Sequence, residues 1–158
     1  GDNTLDVSQD TFISSSFHTE RVGFAAALKT IEIIKREKLW KHFYKVGNKL
    51  IKSYKMIGNS YDLKIVTNKF YPLPSFQLLY GNKNNIYNTF IIQELLKKNY
   101  LAANSVYLSM SHKEKDVELY LKNLENVFKK LSKIIKGKVK NKNFLEIPVI
   151  DQGFKRLT

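Results

Sequence analysis

The chain has 158 residues, with 27 Lys or Arg against 14 Asp or Glu, a net charge of +13, and 43% hydrophobic residues. That length can bury one sizeable core, while its apolar runs of a few residues are too short for a membrane span. The absence of cysteine excludes disulfides, thiolate metal sites and cysteine nucleophiles.

Residues 1–20 are polar and rich in Ser and Thr, with a brief extended stretch at Thr11-Phe12-Ile13. From Arg21 a helical pattern takes over, with Ala25, Leu28, Ile31 and Ile34 at helical spacing, and it runs into the charged Lys35-Arg36-Glu37-Lys38. A second helix follows, with Trp40, Phe43, Gly47, Leu50, Tyr54 and Ile57 along one face, and Gly58-Asn59 as its stop. Tyr61 to Phe70 alternates and is rich in β-formers, Pro72 and Pro74 punctuate it, and Ser75 to Tyr80 reads as a second strand. A helix is expected from about Tyr87 to Asn99, and a short third strand at Val106-Tyr107-Leu108. The last helix carries one apolar stripe, from Val117 through Tyr120, Leu124 and Phe128 to Ile135. Ser111-His112-Lys113-Glu114 has the spacing of a capping box at its start, and Gly137 marks its end.

This order, helix, helix, strand, strand, helix, strand, helix, predicts an α+β fold in which a small three-stranded antiparallel sheet is covered by helices. The expected divisions are 1–20, 21–58 (connecting helices), 59–137 (a small α+β domain) and 138–158 (a basic, then apolar, tail).

The positive charge is almost all lysine. Only Arg21, Arg36 and Arg156 are arginines, leaving 24 lysines, with abundant Asn and Ile. Nucleic-acid readers lean on Arg for bidentate and stacking contacts, so the excess reads as compositional bias on solvated helix faces. A basic α+β nucleic-acid-binding module is the alternative.

Recognised catalytic motifs, such as a phosphate-binding glycine loop, HExxH metal spacing or a Gly-x-Ser-x-Gly elbow, do not occur. His42 sits among aromatic residues and reads as a half-buried helix residue, and His112 as a capping or packing residue. More informative is the run Ser14-Ser15-Ser16-Phe17-His18-Thr19-Glu20-Arg21. It places hydroxyls, an imidazole and both charge signs ahead of a helix, whose N-terminal N–H groups and dipole favour an anion. The spacing alone fits an anion site and a plain Ser/Thr cap equally.

The stretch Phe12 to Leu28, FISSSFHTERVGFAAAL, resembles a segment of class-III pyridoxal-phosphate aminotransferases, in the branch related to glutamate-1-semialdehyde aminomutase. Phe76-Gln77-Leu78-Leu79-Tyr80 is similar to the family's first small-domain hairpin. Ser111 to Val117 resembles the family's S-x-H-T-x-E-D-I start of the last helix, with Lys113 where Thr is usual. The resemblance covers about Gly1 to Ile135. It implies that 1–20 is a remnant of a large cofactor domain with an interface loop, and that the following helix is the long interdomain helix.

By this resemblance, Ser15-Ser16 occupies the family's Gly-Thr position, so Ser16, with Ser15 and Phe17, is the expected contact to the phosphate of pyridoxal 5'-phosphate across a dimer interface. His18, Glu20 and Arg21 fall at the substrate pocket. Glu20-Arg21 replaces the family's Asn-Pro, a departure that favours plain amino transfer over the aminomutase reaction. The expected partners are the cofactor domain of the parent enzyme, a homodimer partner and a small-molecule amino donor or acceptor. A membrane or nucleic acid is not expected, and the location is cytoplasmic. The family's Schiff-base lysine lies upstream of the matching segment and no lysine here takes its place. The resemblance therefore implies that this chain carries no catalytic residue and is inactive alone.

Overall fold

The structure, a computed structural model, describes residues 20–137 and 144–150. The chain divides into two units, Gly1–Lys38 and Leu39–Thr158.

In the first unit the described residues form one helix, α1 (Arg21–Glu37). The Ala25-Ala26-Ala27-Leu28-Lys29 run supplies strong helix formers, and Lys38 ends the helix in the left-handed conformation, its N–H turned back to the Ile34 and Lys35 carbonyls. No residue of α1 is buried. Phe24 and Leu28 are 59% and 70% exposed, and Val22 and Ile31 are exposed too.

The second unit contains α2 (Leu39–Ser60), β1 (Ile65–Thr67), β2 (Phe76–Leu78), a single 3-10 turn (Gly81–Lys83), α3 (Asn84–Leu96) and α4 (Glu114–Ile135). The long apolar stripes of α2 and α4 meet. Lys45 pairs with Glu114 and Lys49 with Glu118, so the two helices run side by side in the same direction. Between them Tyr54, Phe76 and Phe128 stack edge to face, with ring centroids 5.1 and 5.4 Å apart, an arrangement that aligns positive ring edges with negative faces. Leu50, Leu78, Ile91, Leu95, Leu124 and Leu131 are fully buried in the same core.

Two sequence expectations about α2 are refined. The helix passes through Gly58-Asn59 and ends at Ser60, and the left-handed turn falls on Asp62. Gly58 and Gly47 serve close packing instead. A Cβ on Gly47 would run into the Tyr71 carbonyl, and one on Gly58 into the Ile65 side chain. The helix predicted from Tyr87 begins earlier, at Asn84, whose Oδ1 accepts the Tyr80 N–H at 2.8 Å.

The sheet is smaller than the sequence predicts. β1 and β2 pair antiparallel, with Val66 opposite Gln77, and β2 alternates buried, exposed, buried. The expected third strand at Val106-Tyr107-Leu108 is extended but pairs through one bridge, Ser75 with Ser105. Three backbone bonds hold it: Phe76 N–H to Asn104 O, Val106 N–H to Pro74 O and Leu108 N–H to Pro72 O. The next bond of that ladder needs an N–H at position 74. Proline has none, and position 72 is also proline, so the ladder receives donors from the 104–108 side at these positions without the reciprocal bonds.

α4 also starts differently. The expected capping box is absent: Lys113 is the residue before the helix and makes no side-chain cap. Ser109, Ser111 and His112 bond one another instead. Glu114 and Asp116 occupy the first turn, where the helix dipole favours negative charge. At the other end Gly137 adopts φ +67° and returns its N–H to Ile134 O, as the sequence predicts. Residues 144–150 lie against α3. Gln93 donates to Phe144 O and accepts the Glu146 N–H, and Thr89 Oγ1 accepts the Ile150 N–H. Among the described residues, no helix is long and apolar enough to cross a membrane.

Candidate functional site

Ser15, Ser16, Phe17 and His18, the expected phosphate and substrate residues, lie outside the described residues. Glu20 and Arg21 are described, and both are exposed at the start of α1. Glu20 is the N-cap in extended conformation, φ −71° and ψ 121°, and its side chain makes no cap bond. The first turn of α1 carries no acidic residue. Among the described residues no side-chain cap meets its first backbone N–H groups, and Arg21 adds positive charge beside them. Such a terminus suits an anion by its dipole and its donors.

The second unit holds a cleft of about 370 Å³ between the segment 100–107 and the helices α2 and α4. Leu50, Val117 and Tyr120 form its floor, and Tyr100, His112 and Asp116 its polar side. The turn Ser109 to His112 shapes one end. The Ser109 N–H donates to His112 Nδ1 at 3.0 Å, with Ser109 Oγ 3.1 Å from the same nitrogen. In this arrangement Nδ1 is the accepting nitrogen of the ring. His42, half-buried in α2 as its aromatic neighbours suggest, places Nε2 3.2 Å from Ser109 O.

Burial pushes the Tyr120 hydroxyl above the ordinary tyrosine range. Burial raises Tyr54 as well, reinforced by Tyr120, whose hydroxyl lies 3.5 Å away. Both phenols stay neutral at physiological pH and act as hydrogen-bonding groups. Glu114 is held below the usual carboxylate range, first by its bond from Lys45. Glu118 meets Lys49 at 2.6 Å. Asp116, between them in sequence, has no ion-pair partner among the described residues.

A polar cluster lies on α3. Burial alone would raise Glu94, but Lys130 at 2.6 Å and Lys97 at 3.0 Å together bring it below its ordinary value. Lys97 also reaches Glu146 at 2.5 Å. The lysines of the described helices are divided among α1, α2 and α4, and six described lysines, Lys29, Lys45, Lys49, Lys97, Lys130 and Lys136, meet carboxylates.

Sequence reasoning missed the cleft. Its signal lies in Asn99 to Ser111, 13 residues without a charged side chain in a chain that is 26% charged. No known protein family matches this chain, and no curated protein matches it either.

Proposed function

We propose that this chain is the C-terminal part of a class-III pyridoxal-phosphate-dependent aminotransferase, moving an amino group on a small amino-acid, amino-aldehyde or keto substrate, and inactive alone. The resemblance over Phe12 to Leu28 and Ser111 to Val117 suggests the reading, and α1 carries it structurally. An amphipathic helix normally buries its apolar stripe, yet Phe24, Leu28 and Ile31 are exposed on α1, as suits a helix that another part of an enzyme covers. The coarse architecture, α+β with helices over a small antiparallel sheet, is compatible with a small domain of this kind.

The donor set fits the phosphate of the cofactor. Ser15 and Ser16 offer hydroxyl donors in sequence just ahead of an N-terminal turn free of acidic residues, and charge-assisted bonds of this type are strong. In this reading Ser16 anchors the phosphate across a dimer interface, with Ser15 and Phe17 beside it. His18, Glu20 and Arg21 stand toward the substrate. When bound, the cofactor supplies the electron sink for bond breaking at the amino-bearing carbon.

The test uses the enzyme that joins this segment to a cofactor domain. Ser16→Ala should weaken cofactor retention about tenfold, the loss of one charge-assisted hydrogen bond, measured by equilibrium dialysis. Unchanged retention would remove Ser16 from the site. For the chain by itself, pyridoxal phosphate followed by borohydride should leave no specific adduct by mass spectrometry. A stoichiometric adduct on one lysine would overturn the assignment of the Schiff-base residue to another part of the enzyme.

A further inference from the structure

The segment Leu101 to Tyr107 has one satisfied edge and one open edge. The peptide groups of 104, 106 and 108 face the 72–76 segment and bond to it. Strand geometry turns those of Ser105 and Tyr107 the other way. Neither of their N–H groups has a partner among the described residues.

Open edges invite further pairing, and proteins commonly blunt them with lysine, proline or a bulge. This edge has none of these, although the chain spends 24 lysines elsewhere. Two of its side chains, Leu101 and Tyr107, are large, apolar and exposed, at 97% and 78%. Beside it lies the cleft floored by Leu50, Val117 and Tyr120, with the carboxylate of Asp116 at its side.

We propose that this edge and cleft receive an extended segment of a separate polypeptide, added as a β-strand, with an apolar side chain in the cleft and a basic one at Asp116. Backbone bonds to Ser105 and Tyr107 supply affinity, and alternate side chains supply selectivity. The basic preference follows from the pairing pattern on α4: Glu114 and Glu118 already meet lysines of α2, whereas Asp116 faces the cleft without one among the described residues. A second copy of the chain is a poor occupant, because two bodies of +13 charge repel on approach. This inference stands whether or not the aminotransferase reading holds.

The experiment titrates the isotopically labelled full chain with a pool of capped hexapeptides alternating valine and threonine, lysine placed at each position in turn. Binding should shift the Ser105 and Tyr107 amide resonances and slow their hydrogen exchange about tenfold. The same pool methylated at alternate backbone nitrogens should do neither. Ser105→Pro, which deletes one outward donor and leaves the inner bonds intact, should weaken the best peptide about tenfold. Asp116→Asn should abolish the advantage of lysine over norleucine. Three results would overturn the proposal: no perturbation at millimolar peptide, equal binding of the methylated pool, or slowing of the same amides by protein concentration alone, which makes the occupant a second copy. An unchanged lysine preference in Asp116→Asn would remove the basic residue from it.

Discussion

At the scale of single residues, Glu94 and Gly47 show how neighbours reverse an intrinsic preference. A carboxylate among apolar residues on α3 should resist ionisation, but Lys130 and Lys97 hold it below its ordinary pKa of 4.5. A lowered folded-state value means that Glu94 contributes stability above pH 4.5 and loses it as pH falls through the folded value. Glu94→Gln should therefore cost about 1 kcal/mol near neutrality, a difference that shrinks on acidification below pH 4.5. Urea melts from pH 7 to 3 check this, and a constant difference would argue against the ion pairs as its source. Lys97 behaves oppositely: Glu146 and Glu94 raise it above 10.5, so its share is present below that pH and lost in strong alkali. Gly47 is the second case. Alanine normally favours a helix by about 1 kcal/mol over glycine, yet here its Cβ meets the Tyr71 carbonyl, a backbone atom that cannot swing away. Gly47→Ala should destabilise by about 1–3 kcal/mol in denaturant melts.

At the scale of elements, the helices and the first two strands were legible and the third strand was not. The stripes Leu50, Tyr54, Ile57 and Val117, Tyr120, Leu124, Phe128 predict α2 and α4, and those residues are buried. Helical periodicity is a local property, readable from spacing. The third strand failed because a ladder needs donors from both strands, and Pro74 and Pro72, loop signals in sequence, stand opposite Val106 and Leu108 in space. Pro74→Ala restores the N–H. Its new amide should bond Val106 O and exchange about tenfold slower than the outward amide of Tyr107, measured by hydrogen exchange. Fast exchange at position 74 would show that some other constraint ends the ladder. The capping box failed for a similar reason. Ser111 has the right spacing, but Ser109 and His112 satisfy each other first, and the helix starts two residues later, with Lys113 as its N-cap.

For the whole molecule, charge is the governing quantity. A net +13 opposes compaction by self-repulsion, whereas exposed ion pairs such as Lys29–Glu32 contribute little. Raising ionic strength from about 0.01 to 0.15 M shortens the screening length from about 30 to 8 Å. The melting temperature should then rise by about 2–5 °C, and a fall would show that attractive pairs outweigh the repulsion. The phosphate role of Ser15, Ser16 and Phe17 comes from the family resemblance, on residues outside those described; the cluster of hydroxyls ahead of a helix start was legible in the sequence itself. The cleft was not, because Leu50, Tyr100, Asp116 and Tyr120 lie on separate segments that only packing brings together.

By itself the sequence determined what depends on neighbours along the chain: the four helices, the left-handed stop at Gly137, the exclusion of cysteine chemistry and the Ser-rich approach to α1. Tertiary structure decided what depends on neighbours in space. It limited the sheet to two strands, placed Glu94 between two lysines, turned Gly47 and Gly58 into close contacts and left an uncharged edge open beside a cleft. Periodicity along a chain records which face a residue prefers, and it carries no record of which distant segment will meet that face.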